Sequence, residues 1–294
     1  MVKKGLEMDL SIIIVNYNTR ELTLQCISSI YESNIDNSFE VFVVDNNSSD
    51  NSVEAIRQQY PKVILIENNE NIGFSKANNQ AIKKAAGAFV LLLNSDTIVK
   101  ENTLSIMLQY MKENEDIGAA GCEVLLPDGN LDKACHRGFP IPSASFYYMT
   151  GLAKKYSNNP RFNLYHKSYL NMREIHEIDC LVGAFMIVRA ETIKQVGMLD
   201  ETFFMYGEDV DWCYRIKEAG WKIIYNPKTS IIHYKGASSR KKPAKIVYEF
   251  HRAMYLFHKK HYANKYSILT NVIVYTGITV KLGLEFLKNK AKNN

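Results

Sequence analysis

The 294-residue chain has no Gly-x-Gly-x-x-Gly after its first apolar run and no Gly-x-x-x-x-Gly-Lys-Ser/Thr anywhere. Both motifs cradle phosphates on glycine-rich backbone, so their absence disfavours a dinucleotide-binding unit and a P-loop. Cysteine is sparse. Cys26, Cys122, Cys135, Cys180 and Cys213 are odd in number, widely spaced and form no Cys-x-x-Cys. That spacing argues against a metal knuckle or a disulfide framework and for reduced, buried thiols in the cytosol. No Gly-x-Ser-x-Gly elbow supports a serine nucleophile. Long apolar runs are scarce too. MVKKGLEMDL leads straight into SIIIV, too short for the core of a secretory signal.

What is there is unevenly charged. The net charge of +5 divides into +11 from residue 235 onward (13 Lys/Arg, 2 acids) and −6 before it (23 Lys/Arg, 29 acids). A basic tail on an acidic body signals a partner. The tail carries SILTNVIVYTGITV, residues 267–280, whose Asn271 and threonines make it short and polar for a transmembrane helix. An interfacial helix on an anionic membrane suits it better. The alternative is a C-terminal helix packed on the body with a solvated basic face. No nucleic-acid recognition motif accompanies the charge, so nucleic acid is not expected as a partner.

The first hundred residues alternate strand and helix patterns. Strands are expected at Leu10–Val15, Phe39–Asp45, Lys62–Glu67 and Ala88–Asn94. Helices are expected from Thr19, from Asp50 and over Ser75–Ala86, with Thr19 and Asp50 as caps. This order implies an α/β fold with a mostly parallel central sheet flanked by helices. Ligands on such sheets sit beyond the carboxyl ends of the strands. Each of those ends carries small polar groups: Asn16-Tyr17-Asn18-Thr19, Asp45–Asp50, Asn68–Gly73 and Asn94-Ser95-Asp96. Turn chemistry explains part of this, but four such ends along one edge read as a polar crevice. With no glycine cradle, a divalent metal is the usual phosphate holder, and Asp96 is placed to bind one.

Residues 126–177 are irregular, proline-punctuated and rich in aromatics. They suit either stacking on sugar or lipid or a lid that packs on itself. Ile178–Ile193 reads as a buried strand leading into a short helix. Gly183-Ala184 within it suggests close approach of a ligand or backbone. KIIYNP and TSIIHYKG read as two further short strands, the second carrying His233. Between them lies FFMYGEDVDWCYR, Phe203–Arg215, where Glu208, Asp209 and Asp211 open a helical pattern. At a helix N-terminus, free N–H groups and the helix dipole can hold a carboxylate ionised for use as a base, or simply tolerate an over-acidic cap.

In order and spacing, SIIIVNYN, FVVDNNSSD, NIGFSKANN, LLLNSD, VGAFMIVRA, FFMYGEDVDWCYR and IIHYKGAS resemble the family 2 glycosyltransferases of the GT-A fold, over about residues 10–240. The branch most resembled contains bacterial rhamnosyltransferase-like enzymes that build surface polysaccharides on lipid-linked acceptors. The resemblance implies a GT-A domain over residues 1–240 and basic amphipathic helices over 241–294. It implies that Asn16, Asn18 and Asp45 lie at the nucleotide base, with Asp45 favouring uracil or thymine. Asn71, Gly73 and Lys76 belong to a loop at base, ribose or diphosphate. Asn94 and Ser95 contact the nucleotide-sugar, as do Gly183 and Ala184. Asp96 and His233 are the implied metal-site residues, for Mn²⁺ or Mg²⁺. Asp209 matches the catalytic base, with Glu208 beside it; Asp211 and Trp212 face acceptor or sugar. The first aspartate of the family's Asp-x-Asp is Asn94 here, which leaves less formal charge and raises the importance of His233.

The expected chemistry is inverting transfer of a hexose, rhamnose-like or other, from a UDP- or dTDP-sugar. The acceptor is a lipid-linked or polysaccharide hydroxyl at the inner face of the cell membrane. A basic loop of His233, Lys235, Arg240, Lys241 and Lys242 would assist the leaving diphosphate. Two other readings use the same crevice: a sugar nucleotidyltransferase, which would want a Gly- and basic-rich triphosphate loop near the N-terminus, and a silent nucleotide-sugar binding protein.

Overall fold

The computed structural model describes residues 8–235 and 244–293. Its first half is built on four parallel strands. β1 (Leu10–Asn16), β2 (Phe39–Asp45), β3 (Ile64–Glu67) and β4 (Phe89–Asn94) lie in the order β3-β2-β1-β4. α1 (Arg20–Tyr31), α2 (Ser52–Gln59) and α3 (Phe74–Ile82) provide the connections among these four. Strands covered on both faces need continuous apolar runs, and Leu10, Ile12, Ile13 and Ile14 are fully buried. Each such side chain contributes about 1.5–3 kcal/mol by leaving water. The register pairs Asn16 with Asp45 and Val15 with Asn94, so the polar carboxyl ends align along one edge.

The second half mixes directions. β5 (Thr97–Val99), α4 (Thr103–Glu113), β6 (Ile117–Leu125), α5 (Pro142–Met149), α6 (Leu152–Lys155) and β7 (His176–Glu177) precede β8 (Phe185–Arg189) and α7 (Ala190–Val196). Then come α8 (Glu208–Glu218) and β9 (Lys222–His233). The sheet continues β4-β8-β6-β9-β5, with β7 also on β9. β8 runs antiparallel to β4 and β6, whereas the long β6–β9 ladder is parallel.

Three expectations are corrected here. The two short strands foreseen around Pro227 are one strand, β9, with a register shift where Cys122 and Glu123 face Asn226 and Ser230. Proline lacks an N–H, so the ladder slips there rather than ending. Gly183-Ala184 lie in the turn before β8, not within a strand. Asn51, not Asp50, is the N-cap of α2; Asp50 stands one residue earlier, where its Oδ1 accepts from Ser52 N at 3.1 Å and its Oδ2 accepts from Arg20 N of α1 at 2.8 Å.

Within residues 126–177 the rings pack on one another, Tyr147 and Tyr156 each lying 5.1 Å from Phe162. Phe146, Tyr148 and Met149 remain exposed. All five cysteines are free and buried. At the C-terminus α9 (Ala244–His261) buries Val247, Ala253 and Phe257 on the body. α10 (Ile268–Asn293) packs alongside α9.

Candidate active site

The polar edge expected to form the crevice starts at the β1 and β2 ends. Asn16 is fully buried; its Nδ2 donates to Asp45 Oδ1 (2.6 Å) and Ser48 Oγ (3.0 Å). Its Oδ1 accepts from the Thr19 and Thr23 hydroxyls at 2.8 and 2.7 Å. An amide has two donors and two lone pairs, and all four are engaged. Asn16 therefore positions Asp45 from below, where the resemblance had placed it on the nucleotide. Thr19 likewise turns to Asn16 and to Ser95 (3.1 Å) rather than capping α1. Asp45 also takes Ser48 N at 2.8 Å. Asn18, at φ +54°, stands at the rim and accepts from Ser49 N at 2.8 Å.

The loop after β3 closes the same edge. Asn71 Oδ1 accepts Gly73 N at 3.0 Å, and Lys76 is exposed in the first turn of α3. Gly73 adopts φ +88°, and a Cβ there would stand 2.5 Å from Phe204 O. Phe74 N donates to that same carbonyl at 2.7 Å. The loop after β3, where the resemblance implies donor contacts, thus touches the segment that leads into Glu208 and Asp209. Gly183 faces the Phe74 ring.

Strand pairing assembles the other side of the crevice. β5 and β9 pair Thr97 with His233, which brings His233 Nε2 to 3.1 Å from Asp96 Oδ1 and 3.3 Å from Asn94 Nδ2. Asn94 N is fixed to Ala184 O at 3.1 Å. His233 Nδ1 is buried without a hydrogen-bond partner among the described residues and lies 3.9 Å from Asp132 Oδ2, a charge contact. Burial would lower the His233 pKa, but Asp132 and Asp96 outweigh it and raise it to about 9. Lys235 Nζ reaches both Asp132 oxygens at 3.0–3.1 Å. Arg240, Lys241 and Lys242, the rest of the expected basic loop, lie outside the described residues.

No group of three or more His, Cys, Asp and Glu side chains converges as a metal-ligand set among the described residues. The two donors present nevertheless fit a divalent ion that takes its remaining ligands from diphosphate and water. A carboxylate and an imidazole suit such ions, and the unpartnered Nδ1 faces a second carboxylate of the kind that orients ligating histidines.

The acidic trio divides into separate roles. Gly207, at φ +79°, turns the chain into α8. Asp209 accepts Val210 N on Oδ1 (2.8 Å) and is ion-paired through Oδ2 to Arg137 Nη2 at 2.6 Å, both side chains only slightly exposed. Glu208 is buried and its Oε2 has no partner among the described residues. Burial first, then the neighbouring Asp209 charge, push its pKa up to about 8. One carboxyl is held neutral beside one that is ion-paired, the usual division in acid–base sites. Asp211 is fully buried and grips Arg215 Nε (2.8 Å), Lys260 Nζ (2.7 Å) and His261 Nε2 (2.7 Å). Burial opposes its ionisation, but the hydrogen bonds from His261 and Lys260 and the charges of Arg215 and Lys260 bring its pKa to about 2. Asp211 therefore docks α9 rather than facing an acceptor. Trp212 is also fully buried and donates Nε1 to Gly197 O at 2.9 Å. It is a core residue here, not a wall of the cleft.

Asp132 and Arg137 escaped sequence reasoning. They sit in LDKACHR, a polar stretch with no motif, and their partners are distant in sequence. Only the topology shows them.

The family profile described as glycosyltransferase like family 2 matches residues 8–255. N-acetylglucosaminyl-diphospho-decaprenol L-rhamnosyltransferase of Mycobacterium tuberculosis is 28% identical over 228 residues, covering 74% of this chain and 73% of its own. Among solved structures, residues 1–349 of TarS from S. aureus in complex with UDP-GlcNAc superimpose with TM-score 0.61 at 17% identity, over 92% of this chain and 72% of that one. The mannosyltransferase PcManGT from Pyrobaculum calidifontis, in complex with GDP-Man and Mn²⁺, gives TM-score 0.59 at 17% identity, over 98% and 84%. These two likenesses show a shared fold. The profile match covers most of the chain, and the chain belongs to the family 2 glycosyltransferases, with their GT-A fold.

Proposed function

We propose that the protein transfers a hexose from a UDP- or dTDP-sugar to a hydroxyl of a lipid-linked or polysaccharide acceptor, with inversion at the anomeric carbon. The observation that carries this reading is the ion-paired Asp209 at the start of α8, on a segment that touches the donor loop at Gly73 and Phe74. An acceptor hydroxyl is a weak acid and must lose its proton as it attacks. Asp209 is the base that takes it. Direct attack by that oxygen, opposite the departing diphosphate, inverts the centre. Glu208, kept neutral, adds no second negative charge beside the base. Asn16 holds Asp45 where a pyrimidine N–H would meet it. Asp96 and His233 would hold a divalent cation, Mn²⁺ or Mg²⁺, which when bound offsets charge on the diphosphate. The names of the relatives support a rhamnose-like sugar and a diphospholipid acceptor.

The same reading places the protein on the cytoplasmic membrane face. Ile268–Asn289 of α10 is long and apolar enough to cross a membrane, with a mean hydropathy of 1.2 and none of it buried. Its contacts favour lying in the interface. Asn271 bonds His258 Nε2 (2.8 Å) and Ala263 O (2.7 Å), and Tyr275 packs on Tyr255 at 5.0 Å. Ile268, Leu269, Ile273 and Leu287 are left facing outward.

The reading is tested by incubating the protein with a panel of nucleotide-sugars and lipid-diphosphate acceptors, with Mn²⁺, Mg²⁺ or EDTA. Products are read by mass spectrometry and anomeric configuration by NMR. Transfer from a UDP- or dTDP-sugar with inversion is expected. Retention, or nucleotidyl transfer to a sugar phosphate, would contradict it.

A further inference from the structure

We propose that the short segment Asp132–Arg137 is the positioning element of the site, holding His233 at one end and Asp209 at the other. The proposal rests on the glycosyltransferase reading of those two residues. Asp132 Oδ2 stands 3.9 Å from His233 Nδ1, and Arg137 Nη2 stands 2.6 Å from Asp209 Oδ2. The two side chains belong to one turn around Lys133–Cys135, so the separation of their targets is set by a stretch of backbone with little slack.

That backbone is fastened on every side. Asp132 N donates to Val124 O of β6 at 2.8 Å. Arg137 and Cys180 exchange both backbone bonds, at 3.0 and 2.9 Å. Gly138 N donates to Tyr165 O at 2.7 Å, and a Cβ on Gly138 would collide with Leu164 O. The side chains are equally constrained. Asp132 Oδ1 caps its own turn through Ala134 N (3.1 Å), and Lys235 holds both its oxygens. Arg137 Nη2 also donates to Leu181 O at 2.5 Å, two residues before Gly183.

The consequences are separate at the two ends. A guanidinium fixes a carboxylate in plane and direction more sharply than an ammonium does. It leaves the other lone pairs of Asp209 for an incoming hydroxyl. Asp132 faces the histidine by charge at 3.9 Å, without a hydrogen bond. A carboxylate that hydrogen-bonds a ligating histidine is worth about 10–100-fold in ion binding, and the lower end applies to this longer contact. Arg137 is thus a positioning residue for proton removal and Asp132 one for the diphosphate end.

The test compares full-length wild type, Arg137→Ala, Arg137→Lys, Asp132→Asn, Asp209→Asn and the double variant Arg137→Ala/Asp209→Asn. Arg137→Ala is expected to lower kcat about 100-fold with the donor KM changed less than about threefold. Arg137→Lys, which keeps the charge but not the fork, recovers only part of that loss. In the Asp209→Asn background the Arg137→Ala change costs nothing further, because its partner carboxylate is gone. Asp132→Asn is expected to weaken UDP binding in Mn²⁺ about tenfold by calorimetry, while UDP binding in EDTA stays as in wild type. Circular dichroism and melting temperature identify any variant that fails to fold; Arg137→Lys then decides for Arg137→Ala, and Asp132→Glu, measured in the same way, for Asp132→Asn. Wild-type turnover in Arg137→Ala, or an additive loss in the double variant, overturns the proposal. So does unchanged Mn²⁺–UDP binding in Asp132→Asn. A wild-type protein that transfers no sugar from any donor would instead overturn the glycosyltransferase reading.

Discussion

At Glu208 the structure shows a buried carboxyl whose Oε2 meets no donor among the described residues. Its pKa near 8 in the fold stands against 4.5 for the free group. Between those values the folded chain binds more protons than the unfolded one, so stability falls as pH rises from about 4.5 to 8. Glu208→Gln removes that dependence. Its melting temperature is expected to fall by about 6–10 °C less than that of wild type between pH 5 and 8. Parallel profiles for the two proteins would show that Glu208 is ionised in the fold. Gly73 gives a second expectation. Ala at φ +88° costs on the order of 1–2 kcal/mol, and its Cβ meets the Phe204 carbonyl. Gly73→Ala should lower the melting temperature by about 3–6 °C and weaken UDP binding. An unchanged melt and affinity would remove the donor loop from contact with the acidic segment.

Single residues were unequally legible in the sequence. Asp45, Asp96, Asp209 and His233 follow or end strands, or open a helix, in recognisable strings, so their neighbourhood could be foreseen. Asn16 and Trp212 stand in the same strings but point into the core, and burial is a property of packing rather than of motif. Asp132 and Arg137 carry no local signal, since an isolated charge acquires meaning only when another element supplies its partner.

Among the elements, the parallel strands of the first half declare themselves through unbroken apolar runs, and β2 lies where the pattern puts it. β9 does not, because Pro227 interrupts the pattern while the ladder slips past it. α4 and β6 lack sharp boundaries in the sequence and emerge only in the fold. α9 is held by Asp211 through Lys260 and His261, and by Arg252 Nη1 donating to Thr202 O at 2.9 Å. α9 is thereby fastened beside the Glu208–Asp209 segment, and α10 carries the outward-facing apolar side chains. Removing residues 265–294 should reduce co-sedimentation with vesicles containing anionic lipid. Binding of the intact protein should weaken as salt rises from 50 to 500 mM. Equal sedimentation of the truncated and intact proteins would assign the outward apolar stripe of α10 to something other than a membrane.

Over the whole molecule, sheet topology does what local sequence cannot. It links the fourth-strand edge and the β9 histidine to the α8 carboxylate through the Asp132–Arg137 turn, whose ends contact His233 and Asp209. In the proposed reaction Asp209 removes the acceptor proton. The most direct test is single-turnover transfer by Asp209→Asn beside wild type, with UDP affinity measured on the same preparations. Loss of about two to four decades in rate with donor affinity unchanged is the expected result. Transfer at the wild-type rate would contradict it.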